Sequence, residues 1–145
     1  MKLKSALVLA AALGLAASLS AAEKTVAGPK GGRLLEKVSP TTEFFVNKDR
    51  KVEINFYDAA KKPAAPGAQV VAVTAEPKSG RVPLELEKTA TGFVSKTALP
   101  AGEPYRVVVQ LREKGDARPQ NFRIELDLSK CGECKNAEYA CTCGH

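Results

Sequence analysis

Val52, Ile54 and Phe56 alternate with Glu53, Asn55 and Tyr57, and the same period of two returns twice more along the chain. Tyr105, Val107, Val109 and Leu111 alternate with Arg106, Val108, Gln110 and Arg112. Phe122, Ile124, Leu126 and Leu128 alternate with Asn121, Arg123, Glu125 and Asp127. Successive side chains of a strand point to opposite faces, so each segment reads as a strand with one buried side. Further strands are expected over residues 44–46, 69–74, 82–86 and 92–98, with 69–73 apolar on both faces as suits a central strand. Turn signals separate them at 47–50, 63–67, 77–80, 100–104 and 115–119.

Seven or eight short strands in about a hundred residues predict an all-β fold, a single antiparallel β-sandwich of immunoglobulin-like type, with a small barrel as the alternative. The body from 33 to 128 holds no cysteine, so the usual disulfide between sheets is absent. The core is expected to rest on Phe44, Val52, Ile54, Phe56, Val70, Leu84, Phe93, Val107, Val109, Phe122, Ile124 and Leu126.

The two ends differ from this body. Lys2 and Lys4 precede an apolar stretch from 6 to 19, and Ser20-Ala21-Ala22 supplies small residues for cleavage before Glu23. That pattern reads as a cleaved secretory signal peptide over residues 1–22, leaving no transmembrane anchor and a periplasmic or secreted protein. Residues 23–32 are small, polar and glycine-rich, and read as a flexible lead-in. Residues 129–145 form an irregular Cys-rich tail.

Two function classes find no support. The formal net charge is +6, but basic residues interleave with acids, as in Lys48-Asp49-Arg50-Lys51, where a nucleic-acid binder needs a stripe on one face. No nucleic-acid partner is expected. The one histidine is His145, so the body offers no imidazole base for a serine or cysteine nucleophile. Glu53, Glu85, Glu87, Glu125 and Asp127 fall on polar strand faces, and nothing pairs two of them across a cleft. Gly28-Pro29-Lys30-Gly31-Gly32 lacks the preceding strand and following helix of a phosphate cradle. The chain does not read as an enzyme.

The chemistry lies in the tail. Cys131-Gly-Glu-Cys134 and Cys141-Thr-Cys143-Gly-His145 place four thiols within thirteen positions, after 130 residues without one. In one reading Cys131, Cys134, Cys141 and Cys143, with His145 as a fifth candidate, bind Zn²⁺ or Cu(I). Zinc takes four Cys or His ligands in a tetrahedron, and Cu(I) favours thiolates. The C-x2-C puts two sulfurs on one turn, eased by Gly132, and the spacer lets the C-x-C arm close on it. Glu133 and Glu138 suit a soft ion less. In a second reading an oxidising compartment pairs the thiols, with Cys131–Cys141 and Cys134–Cys143 forming a clasp. A redox motif is the third, although the βαβ setting of thioredoxin-like proteins is missing.

The chain from 28 to about 128 resembles the small β-rich domain of periplasmic adaptor subunits in heavy-metal efflux systems. The resemblance rests on Gly28-Pro29-Lys30-Gly31-Gly32-Arg33-Leu34-Leu35, on Val52-Glu53-Ile54-Asn55-Phe56-Tyr57-Asp58, and on Lys62-Pro63 followed by Gln69-Val70-Val71-Ala72-Val73-Thr74. Lys30 stands where that family often has a histidine, and an ammonium is not a metal ligand. The long hairpin and lipoyl-like parts of an adaptor are not found in this chain. The resemblance implies an exported domain associated with metal handling, with an envelope metal-transport protein as partner. The tail around Tyr139 is similar to the Tyr-x-Cys-Pro-Met-His segment of small heavy-metal-binding domains, without its Pro and Met. The expected function is therefore an exported metal-binding accessory protein for sequestration or delivery. The alternative is a structural or interaction sandwich whose tail is clamped by disulfides.

Overall fold

The computed structural model describes residues 24–144. The segment read as a signal peptide and His145 lie outside the described residues. The strands are β1 (Arg33–Leu35), β2 (Thr41–Val46), β3 (Val52–Tyr57), β4 (Val70–Glu76), β5 (Val82–Leu84), β6 (Leu86–Thr89), β7 (Gly92–Ser95), β8 (Tyr105–Arg112) and β9 (Gln120–Leu126). One antiparallel sheet has the order β1-β2-β3-β7-β6 and the other β5-β4-β8-β9. Among the described residues no helix is long and apolar enough to cross a membrane.

This strand order is that of an immunoglobulin-like sandwich with β1 added at one edge. The chain changes sheets at Glu85, because β5 pairs with β4 whereas β6 pairs with β7. At the start of β8, Tyr105 donates its hydroxyl proton to the Pro100 carbonyl at 2.6 Å, the corner contact typical of such sandwiches. Between the sheets, Phe44, Ile54 and Phe56 meet Val73, Val107, Val109, Ile124 and Leu126, all at most 1% exposed. Burying a side chain of this size stabilises the fold by roughly 1.5–3 kcal/mol.

Three expected core residues differ. Val70 is 47% exposed, because β4 is central by pairing yet has one face open to solvent. Its inward residues are Val71, Val73 and Ala75, one position out of phase with Val70. Phe93 and Phe122 are partly buried and pack against the core from its margin. Phe122 lies on β9, an edge strand with no neighbour beyond it to cover the ring.

Asn55 and Tyr57, expected on a polar face, are 5% and 3% exposed. Residues 28–32 fold against Glu43, which lies opposite Asn55 and bonds Tyr57: the lead-in expected to be flexible takes up a definite turn on the outer side of β2 and β3. The fully buried Glu43 carboxylate accepts from the Gly32 amide at 2.7 Å, the Lys30 amide at 3.1 Å and the Tyr57 hydroxyl at 2.6 Å. Burial and the adjacent carboxylate push the Tyr57 phenol well above its ordinary range, so it stays a donor. The glycines follow from this close approach. A Cβ on Gly28 would stand 2.3 Å from Glu43 Cδ, and one on Gly32 would stand 2.3 Å from the Phe44 carbonyl oxygen.

Candidate metal centre

Beyond β9 the chain turns back on itself through the first two cysteines. Asp127 Oδ1 accepts from the Ser129 amide at 2.9 Å and its hydroxyl at 2.6 Å, the local turn that aspartate favours after a strand. The returning limb then pairs with the outgoing one: the Glu138 amide donates to Ser129 O at 2.9 Å and the Tyr139 amide to Asp127 O at 3.1 Å. Lys130 bridges Ala137, and the Cys131 amide donates to Asn136 O at 3.0 Å. Those bonds close a knuckle that carries Cys131 and Cys134. A short 3-10 helix, Glu138–Ala140, follows and delivers Cys141 and Cys143.

The knuckle is fixed to the sandwich by Tyr139. Its ring is 5% exposed and meets Phe44 edge-on, with centroids 5.6 Å apart and planes at 89°. Its hydroxyl accepts from the Val46 amide at 3.0 Å. Desolvation pushes the phenol up to about 12. The tail is irregular, as expected, but it is packed rather than trailing.

This scaffold brings together all four predicted cysteines. Their sulfurs lie within 4.8 Å of one another. Cys131 Sγ stands 3.8 Å from Cys143 Sγ and 3.1 Å from Cys141 Sγ, and Cys134 Sγ stands 3.7 Å from Cys141 Sγ. A tetrahedron of sulfurs at the zinc–thiolate distance has edges of about 3.8 Å, which two of these separations match. The third is closer than two unbonded sulfurs favour, and a cation seated between them would spread it. Cys131 is buried and the other three are half-exposed, so the set has a protein side and a solvent side. The four cysteines can hold a metal ion. The predicted fifth ligand, His145, lies outside the described residues.

Backbone amides tune the thiols. The amides of Thr142 and then Asn136 stabilise the Cys134 thiolate and draw its pKa down to about 6. Contact with Cys131 pushes Cys141 up, and desolvation followed by the neighbouring sulfurs pushes Cys143 up further. Sequence reasoning missed Asn136 and Thr142, since a main-chain donor leaves no side-chain signature. It also overstated Gly132, where an added Cβ would meet nothing within 4 Å.

The 28–32 turn reaches this site: a Cβ on Gly31 would stand 3.3 Å from Asn136 Oδ1. Between them runs a groove of about 450 Å³ lined by Lys30, Lys48, Arg50, Lys130 and Lys135 over a floor that includes Phe45, Val46 and Tyr139, with no acidic side chain among its lining residues. Lys30 is paired with Glu53 at 2.6 Å and Arg50 with Glu103.

Fold and site together define an immunoglobulin-like sandwich with a four-cysteine centre built on its C-terminal knuckle. Comparison of the chain with protein-family models, with curated proteins and with solved structures finds no match.

Proposed function

We propose that this protein is an exported, non-enzymatic metal-binding accessory protein that holds Zn²⁺ or Cu(I) through Cys131, Cys134, Cys141 and Cys143 and serves sequestration or delivery in the cell envelope. The observation that carries the reading is the convergence of four sulfurs within 4.8 Å on a knuckle tied down by Tyr139. Four thiolates suit these two ions and suit Mg²⁺ or Ca²⁺ poorly. Three half-exposed ligands favour exchange with a partner over permanent burial of the ion. Export is supported by the basic and apolar pattern of residues 1–22. The resemblance of residues 28–128 to efflux adaptor domains supports the envelope setting and a metal-transport partner.

The test is the intact mass of protein exported without a tag, recorded native and denatured, with and without thiol alkylation. The expected result is one ion lost on denaturation, four alkylated cysteines, and an N-terminus at Glu23. No ion, with alkylation only after reduction and no zinc taken up by the reduced protein, overturns the metal reading and leaves a disulfide-clamped interaction module.

A further inference from the structure

We infer that Cys131 and Cys141 form a peroxide-oxidised pair whose coupling empties the site, so that the metal-bound and disulfide forms are two states of one cluster. The inference rests on the metal-binding reading above. These sulfurs approach to 3.1 Å, closer than Cys134 to Cys141 at 3.7 Å or Cys131 to Cys143 at 3.8 Å, and the pair returns to that approach once oxidation lifts Cys141 off the ion. A disulfide spans about 2.05 Å, so this pair closes over the shortest path. The two sulfurs belong to different arms, one on the C-x2-C knuckle and one on the C-x-C segment. Coupling them therefore removes one ligand from each arm.

Burial sets the order of events. Cys141 is half-exposed, whereas Cys131 is 5% exposed. A metal-bound Cys141 thiolate attacks one oxygen of hydrogen peroxide, the O–O bond breaks, and the departing hydroxide takes a proton to become water. The product is a sulfenic acid on Cys141. The sheltered Cys131 thiolate then attacks that sulfur, the S–O bond breaks, and the second hydroxide leaves as water with another proton. Each of the two sulfurs gives up one electron, peroxide takes both, and Zn²⁺ keeps its oxidation state. Cys134 and Cys143 remain, too few to hold a tetrahedral ion by themselves. The close, buried resolving thiol also stops the reaction at the reversible step, ahead of sulfinic acid.

The experiment uses the full mature chain loaded with Zn²⁺, with the zinc content measured first. Excess hydrogen peroxide is added, released zinc is read with a chromophoric chelator, and the product is weighed intact. Cleavage after lysine and after glutamate separates Cys131 from Cys134, because Glu133 lies between them, and separates both from the segment bearing Cys141 and Cys143. The expected result is a loss of two hydrogens for each zinc released, a fall in bound zinc of about tenfold or more, and a Cys131–Cys141 link placed by fragmentation. Zinc retained after oxidation, release accompanied only by sulfinic or sulfonic acids, or a link through Cys134 overturns the inference while leaving metal binding intact. Absence of zinc before peroxide is added overturns the metal reading itself, and this inference with it.

Discussion

The Tyr139 hydroxyl accepts a hydrogen bond from the Val46 amide at 3.0 Å, across 93 positions of sequence. This contact joins the cysteine knuckle to the end of β2, the strand that also carries Phe44 beneath the same ring and Glu43 beneath the 28–32 turn. One strand thus supports both chain ends of the described structure.

Tyr139→Phe keeps the ring and removes the acceptor for the Val46 amide, so urea unfolding should show a loss of about 1 kcal/mol. Tyr139→Ala also empties a buried site, and the loss should rise to about 3–5 kcal/mol. Because the knuckle loses its anchor, zinc affinity measured by chelator competition should fall with the second variant and hold with the first. Unchanged stability in Tyr139→Ala would mean that the tail is not docked in solution.

Metal uptake should strengthen as pH rises. Cys134, drawn down to about 6, is already a thiolate at neutral pH and yields no proton to an incoming ion. Cys141 and Cys143, both pushed up, are protonated there and must each lose a proton to bind. Lower pH therefore favours the empty site, and apparent zinc affinity should drop steeply below pH 7 in a chelator competition series. Affinity flat across that range would contradict the assignment of these thiols as ligands.

The same ordering of thiols predicts selective chemistry. In the metal-free protein at pH 7, limiting iodoacetamide should label Cys134 ahead of Cys141 and Cys143, since the thiolate is the nucleophile. Bound zinc should suppress labelling of all four. Peptide mapping after brief exposure reads both outcomes.

Glu43→Gln leaves the side-chain volume nearly unchanged but replaces a charged acceptor of two backbone amides and a phenol with a neutral amide. A loss of about 2 kcal/mol is expected in denaturant titrations. Gly32→Ala should cost about as much or more, because the new Cβ would collide with the Phe44 carbonyl. Gly132→Ala, with open space around the added atom, should be neutral within about 0.5 kcal/mol. Equal effects at the two glycines would contradict the tight turn over Glu43.

Alternation made β3, β8 and β9 legible at once, since a strand packed on one side writes its period directly into the chain. The cysteine spacing likewise singled out the four thiols that the structure brings together. Val70 shows where that reasoning stops. Pattern reports which residues are apolar, whereas solvent exposure depends on whether another layer covers that face. Asn55 and Tyr57 fail in the opposite sense: they look polar-facing until residues 28–32 fold over Glu43 beside them.

The sequence by itself determined an all-β sandwich with its thiols gathered at one end, because side-chain periodicity and residue type are local properties. Only the tertiary structure decided that those thiols form one centre. Their convergence depends on main-chain bonds from Cys131 to Asn136 and from Tyr139 to Asp127, and on a tyrosine buried against Phe44. The glycine-rich segment changed meaning for the same reason. Its glycines serve a buried carboxylate eleven to fifteen positions away, a contact made by packing between distant parts of the chain and written in no local pattern.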